Sequence, residues 1–141
     1  MLRGDRALAL EAVAWLALAR AALLGLRFGR IARHLGRPMQ ETGIDGDPRD
    51  AAIGGRVGWA IGAAARRVPW RTECLEQALA AEAMLRRRRV PCTMYVGVAR
   101  NPGAGVDAHA WLRTGRLHVT GGADVTRYAV LATFAATPKP R

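Results

Sequence analysis

From Asp5 to about Leu35 the apolar residues Leu8, Val13, Leu16, Leu18, Leu23, Leu26 and Ile31 recur at helical intervals among alanines, the residue of highest helix propensity. The pattern predicts one long helix or two consecutive ones. Residues 36–50 are rich in Gly, Pro and Asp and predict a loop. Ala51–Arg67 returns to a helical pattern, although Gly54, Gly55, Gly58 and Gly62 each cost about 1 kcal/mol relative to alanine. Pro69 closes that segment. A further helix is predicted to start near Thr72, a good N-cap, and to run through Leu75, Ala78, Leu79, Glu82 and Leu85 into Arg86–Arg89. Cations there suit the negative end of the helix dipole. Val90-Pro91 stops it.

After Pro91 the period changes to that of strands: Thr93–Ala99, Ala108–Arg113 and Arg116–Thr120, with a last apolar run, Tyr128–Phe134. Thr114-Gly115 reads as a two-residue hairpin turn. With that turn Arg113 pairs with Arg116, Leu112 with Leu117, Trp111 with His118, Ala110 with Val119 and His109 with Thr120. Helices first and antiparallel strands second predict an α+β domain, helices packed on a small sheet. The length suits one domain, 1–141, with a helical part (1–67) followed by one more helix and the sheet (68–141).

Charge and cysteine content narrow the chemistry. Twenty-two Lys and Arg against 11 Asp and Glu give a net charge of +11, which attracts anionic partners of any kind: acidic peptide, nucleic acid or membrane surface. The arginines are spread over several helices, and Tyr95, Trp111 and Tyr128 are the only aromatics near the sheet for base stacking, so no nucleic-acid partner is expected. Ala7–Leu26 is long enough to cross a bilayer but contains Glu11 and Arg20, so a buried or interface helix is expected and not a span. Arg20, Arg27, Arg30 and Arg33 form a basic flank, either a solvated face or a docking surface. The two cysteines, Cys74 and Cys92, suggest free thiols and a cytoplasmic chain. Their spacing to histidine fits no zinc site, and no cofactor is expected.

Cys74 falls in the first turn of its predicted helix, where unpaired N–H groups and the positive dipole end favour a thiolate. Glu73 opposes that effect and Arg71 supports it. His109, on a strand between Ala108 and Ala110, can serve as general base toward such a thiol. Cys92, at a strand start, reads as filler. For a third group that orients the imidazole, the predicted register places only Thr120 opposite His109. Asp107 belongs to the loop mouth, and Asp124 follows the flexible Gly121-Gly122 corner; Asp124 is the choice. Trp70 can offer an indole N–H to an oxyanion or pack as a core residue.

The runs Cys74-Leu75-Glu76-Gln77-Ala78-Leu79-Ala80, Leu85–Pro91, Tyr95-Val96-Gly97-Val98 and Ala108-His109-Ala110-Trp111-Leu112 resemble the leader peptidases of lasso-peptide biosynthesis, which are transglutaminase-like cysteine proteases. The likeness extends from about Trp70 to Phe134, and the Ala-rich N-terminal helix is similar too. It implies a transglutaminase-like (papain-like) fold and a thiol protease that removes the leader of a precursor peptide before a macrocyclase closes the ring. It also implies a Cys-His-Asp triad, matched by Cys74 and His109. Many members carry a carboxylate where this chain has Val119-Thr120-Gly121-Gly122, so the third role passes to Asp124 or to a backbone or hydroxyl group. Fused relatives carry a leader-recognition domain for which this chain has no room, which implies a separate recognition protein. Acyl transfer on the same core, as in a transglutaminase or amidase, is the alternative enzyme reading, and a basic nucleic-acid-binding module the non-enzyme one.

Overall fold

Asp47 opens the second long helix by accepting a hydrogen bond from the Arg49 N–H (2.9 Å), with Pro48 in the first turn, where its missing N–H costs nothing. The computed structural model describes residues 3–138. Its elements run α1 (Arg3–Gly25), α2 (Phe28–Ala32), β1 (Arg37–Pro38), α3 (Pro48–Ala65), α4 (Cys74–Arg87), β2 (Cys92–Asn101), β3 (Gly105–Thr114), β4 (Leu117–Thr120), a 3-10 turn (Val125–Arg127) and β5 (Ala129–Ala136). The N-terminal helical run is thus two consecutive helices. The sheet has the order β1-β5-β2-β3-β4, every pair antiparallel.

The layers stack in sequence order. α3 and α4 lie on β3 and β4, and α1 lies across α3 and α4 on their far side. One core runs through the layers, between α1 and the α3–α4 pair and between that pair and the sheet; it includes Leu16, Ile61, Met84, Leu85, Met94 and Leu112, all nearly or fully buried. Two of the α3 glycines explain why that helix tolerates them. A Cβ on Gly54 would stand 2.6 Å from the Thr114 methyl, and one on Gly58 2.7 Å from the Val119 carbonyl oxygen. One turn apart, they let the helix backbone lie directly on β4, and the burial gained offsets their helix cost.

The hairpin differs from the predicted register. Thr114 pairs with Leu117, so the turn is Gly115-Arg116, with Gly115 in the left-handed region (φ +55°). A bulge follows, and Leu112, not His109, stands opposite Thr120. The extra residue shortens the paired stretch of β4, so β3 is an edge strand at His109. On the outer face of the sheet the chain after β1 is pinned by Arg113, whose guanidinium donates to the carbonyls of Thr42 (2.8 Å), Gly43 (3.3 Å) and Gly115 (3.1 Å).

Candidate active site

α4 begins at Cys74 itself, one residue beyond its N-cap, Glu73. Thr72, the cap expected from sequence, instead accepts a hydrogen bond from the Gln77 side chain at 2.8 Å. No side chain caps the helix, whose first backbone hydrogen bond runs from the Gln77 N–H to the Glu73 carbonyl. The N–H groups of the first turn therefore remain as donors beside the half-buried thiol. The segment entering the helix is clamped from both sides. Trp70 Nε1 donates to Glu76 Oε2 at 2.8 Å, and Arg20 of α1 reaches Glu76 Oε1 at 3.5 Å while lying over the Trp70 ring. Glu76 is only 1 % exposed, and these two partners account for its burial. Trp70 is thus a bracing residue, its N–H committed to Glu76 and not turned to an oxyanion.

The direction of α4 sets which end of the sheet receives Cys74. Its C-terminal end leads through Val90-Pro91 to Cys92, beside the Thr93–Arg113 pair, and Thr114 Oγ1 donates to the Pro91 carbonyl at 2.8 Å. Fourteen helical residues cover about 21 Å, close to the roughly 17 Å that five strand residues span from Thr114 back to His109. These lengths let the helix start reach the level of His109 along β3, while strand alternation puts the His109 ring, with Trp111 and Tyr95, on the face opposite the one that α4 covers through Met94, Ala110 and Leu112.

His109 is held on three sides. Its ring lies against Tyr128 (centroids 5.0 Å apart) and stacks on Trp111 (5.6 Å), which stacks in turn on Tyr95 (5.3 Å). Across β2 its partner is Gly97, where a Cβ would approach Trp111 and Tyr128 to 3.2 Å; a glycine leaves room for both rings. Nε2 lies 2.7 Å from the Gly121 carbonyl oxygen. A carbonyl only accepts, so Nε2 carries a proton and donates it there; in the tautomer with that proton alone, Nδ1 holds the lone pair. Gly121 is at φ +65°, and a Cβ there would meet the Ala110 carbonyl oxygen at 2.6 Å. Only glycine fits this close approach.

His109 and Asp124 share no hydrogen bond among the described residues. Asp124 is exposed and holds a left-handed backbone (φ 54°) as it begins the 3-10 turn. The bulged hairpin explains the difference: it delivers the Gly121 carbonyl to Nε2 first. Asp107, on the same face of β3, meets Arg127 at 3.2 Å. Thr120 is buried beside Leu112. No hydrogen bond joins the Cys74 thiol to His109 among the described residues. Sequence reasoning missed Gly121, whose contribution is a backbone atom that any residue type would carry; the signal was the Gly-Gly corner.

A half-buried thiol at an uncapped helix start and an imidazole held by a backbone carbonyl are components of nucleophilic acyl chemistry. The comparisons agree on class. Residues 9–133 match the transglutaminase-like superfamily, and the chain belongs to it; its members are typically cysteine-based enzymes, either proteases or transglutaminases. No curated protein and no solved structure matches the chain.

Proposed function

We propose that this chain is a cysteine peptidase that removes the leader segment from a ribosomally made lasso-peptide precursor in the cytoplasm, acting with a separate leader-recognition protein and a macrocyclase. The observation that carries the peptidase reading is the Cys74 thiol at the uncapped start of α4 in a transglutaminase-like chain. The resemblance of the segments around Cys74 and His109 to leader peptidases supports the choice of substrate.

This reading requires the His109 ring to reach Cys74 around the edge of β3, which β4 leaves unpaired there; Nδ1 then takes the thiol proton as the Cys74 sulfur attacks the scissile carbonyl carbon. The C–N bond then breaks, the leaving amine receives that proton from the imidazolium, and the acyl group remains on sulfur as a thioester. Water attacks the thioester, gives a proton to Nδ1, and the thiol is restored. N–H groups of the first turn of α4 meet the oxyanion. The Gly121 carbonyl, not the Asp124 carboxylate, orients the imidazole and faces its developing charge.

Incubation with the cognate precursor tests this. Cys74→Ala and His109→Ala are each expected to abolish leader release while the protein unfolds at an unchanged temperature; release by either variant overturns the reading. Superfamily membership equally accommodates acyl transfer to an amine, and product mass separates the two: hydrolysis adds water across the bond, whereas transamidation loses ammonia.

A further inference from the structure

α1 is polarised the wrong way round for the outermost helix of a protein in water. Its charges turn inward: Glu11 meets Arg87 at 2.9 Å and Arg88 at 2.7 Å, Arg20 reaches Glu76 at 3.5 Å, and Asp5 faces Arg56 at 3.4 Å. Outward stand Leu10, Ala14, Ala17, Leu18, Ala21 and Leu24, with the three leucines 69, 58 and 77 % exposed. From Gly4 onward, Arg6 is the only ionisable side chain of α1 exposed with this face. Just past the other end, Arg27, Arg30 and Arg33 are exposed and meet no carboxylate among the described residues. An apolar strip about 21 Å long, from Leu10 to Leu24, is therefore flanked by cations at both ends.

Three occupants compete for this strip. A second copy of the chain would bring Arg6 against Arg27, Arg30 and Arg33 in an antiparallel pairing, or those groups against themselves in a parallel one, between two bodies of net charge +11. A protein partner would find neither aromatic anchors nor hydrogen-bonding groups, only Ala and Leu, and Ala is depleted in such interfaces. A lipid surface demands only apolar area and cations at phosphate level. The helix is long and apolar enough to cross a membrane, but crossing would carry Glu11 and Arg20 into hydrocarbon and strip them from Arg88 and Glu76. We propose that α1 lies in the plane of an anionic membrane surface, its leucine face in the acyl boundary and Arg6, Arg27, Arg30 and Arg33 among the phosphates.

Co-sedimentation of the full chain with phosphatidylglycerol–phosphatidylcholine vesicles and with phosphatidylcholine vesicles alone tests this at physiological salt. Binding is expected to the first and to be far weaker to the second. The variant carrying Leu10→Gln, Leu18→Gln and Leu24→Gln keeps every charge and touches only exposed positions. It should unfold at the wild-type temperature yet bind anionic vesicles at least about tenfold more weakly. Three results overturn the proposal: no binding to anionic vesicles; equal binding by the leucine variant, which would make the attraction one of net charge alone; or a wild-type dimer in sedimentation that the leucine variant abolishes, which would mean that a second copy covers the face.

Discussion

The two cysteines of this chain sit 18 residues apart, on the helix and the strand that bracket the Arg86–Arg89 run, and they differ in every respect that governs thiol chemistry. Cys74 is half-buried at an uncapped helix start. Cys92 is fully buried under α4, and that burial, with the nearby Glu82 carboxylate second, pushes its thiol up to about 12. One position offers a thiol both access and backbone donors; the other withholds both. Location in the fold, and not residue type, separates a nucleophile from a packing group.

The largest effect expected from this contrast is in alkylation. Iodoacetamide should modify the native protein at Cys74 alone, with Cys92 slower by at least about a thousandfold because it reacts only after the core opens. Peptide mass mapping reads the ratio, and comparable rates at both sites would erase the distinction. Next comes Gly121→Ala, which forces a side chain against the Ala110 carbonyl at a positive φ. It should cost about 1–3 kcal/mol by denaturant unfolding and impair leader release by displacing the support of His109.

Glu82, the carboxylate beside Cys92, sharpens the contrast through pH. It is buried, and desolvation raises it to about 7 against the lowering influence of Arg86. Arg86 Nη2 is 3.0 Å from its Oε1, yet that oxygen has no hydrogen bond, so the guanidinium is close but misaligned. The folded state therefore keeps a proton that the unfolded chain, at 4.5, releases. Stability from this group is fully present below about 4.5 and is lost as pH rises toward 7. Glu82→Gln should accordingly raise the stability at pH 8 by about 1–3 kcal/mol, with the gain vanishing near pH 4.5; a gain independent of pH would refute the burial argument. The smallest effect is that of Asp124→Ala. An exposed carboxylate with no hydrogen bond to His109 among the described residues should leave stability within about 0.5 kcal/mol, and leader release should change little; a collapse of activity would return the orienting role to Asp124.

The elements with strong periodicity were legible. The Ala-rich helices, the start of α4 next to Cys74 and the strand that carries His109 all announce themselves through spacing and stop signals. The hairpin register was not, because Gly115 suits either position of a two-residue turn and the bulge at Leu112/Arg113 has no signature in residue type. That shift replaced a side chain by the Gly121 carbonyl as the partner of His109. β1 escaped as well: two residues, one of them proline, pair with Ala135 and Phe134 only through tertiary contact. The basic flank read as a possible dock divides in the structure. Arg20 pairs with Glu76, whereas Arg27, Arg30 and Arg33 stay exposed. Likewise, Arg86, Arg87 and Arg88 answer carboxylates of α4 and α1. No sequence pattern shows which of a helix's faces is turned inward when both carry alanine.

Acid quenching of the enzyme during turnover of its precursor, followed by intact-mass and peptide mapping, tests the central claim most directly. The account predicts an acyl adduct on Cys74, absent from Cys92, that does not form in the His109→Ala variant. Leader release with no adduct at Cys74, or an adduct that forms equally fast without His109, would contradict it.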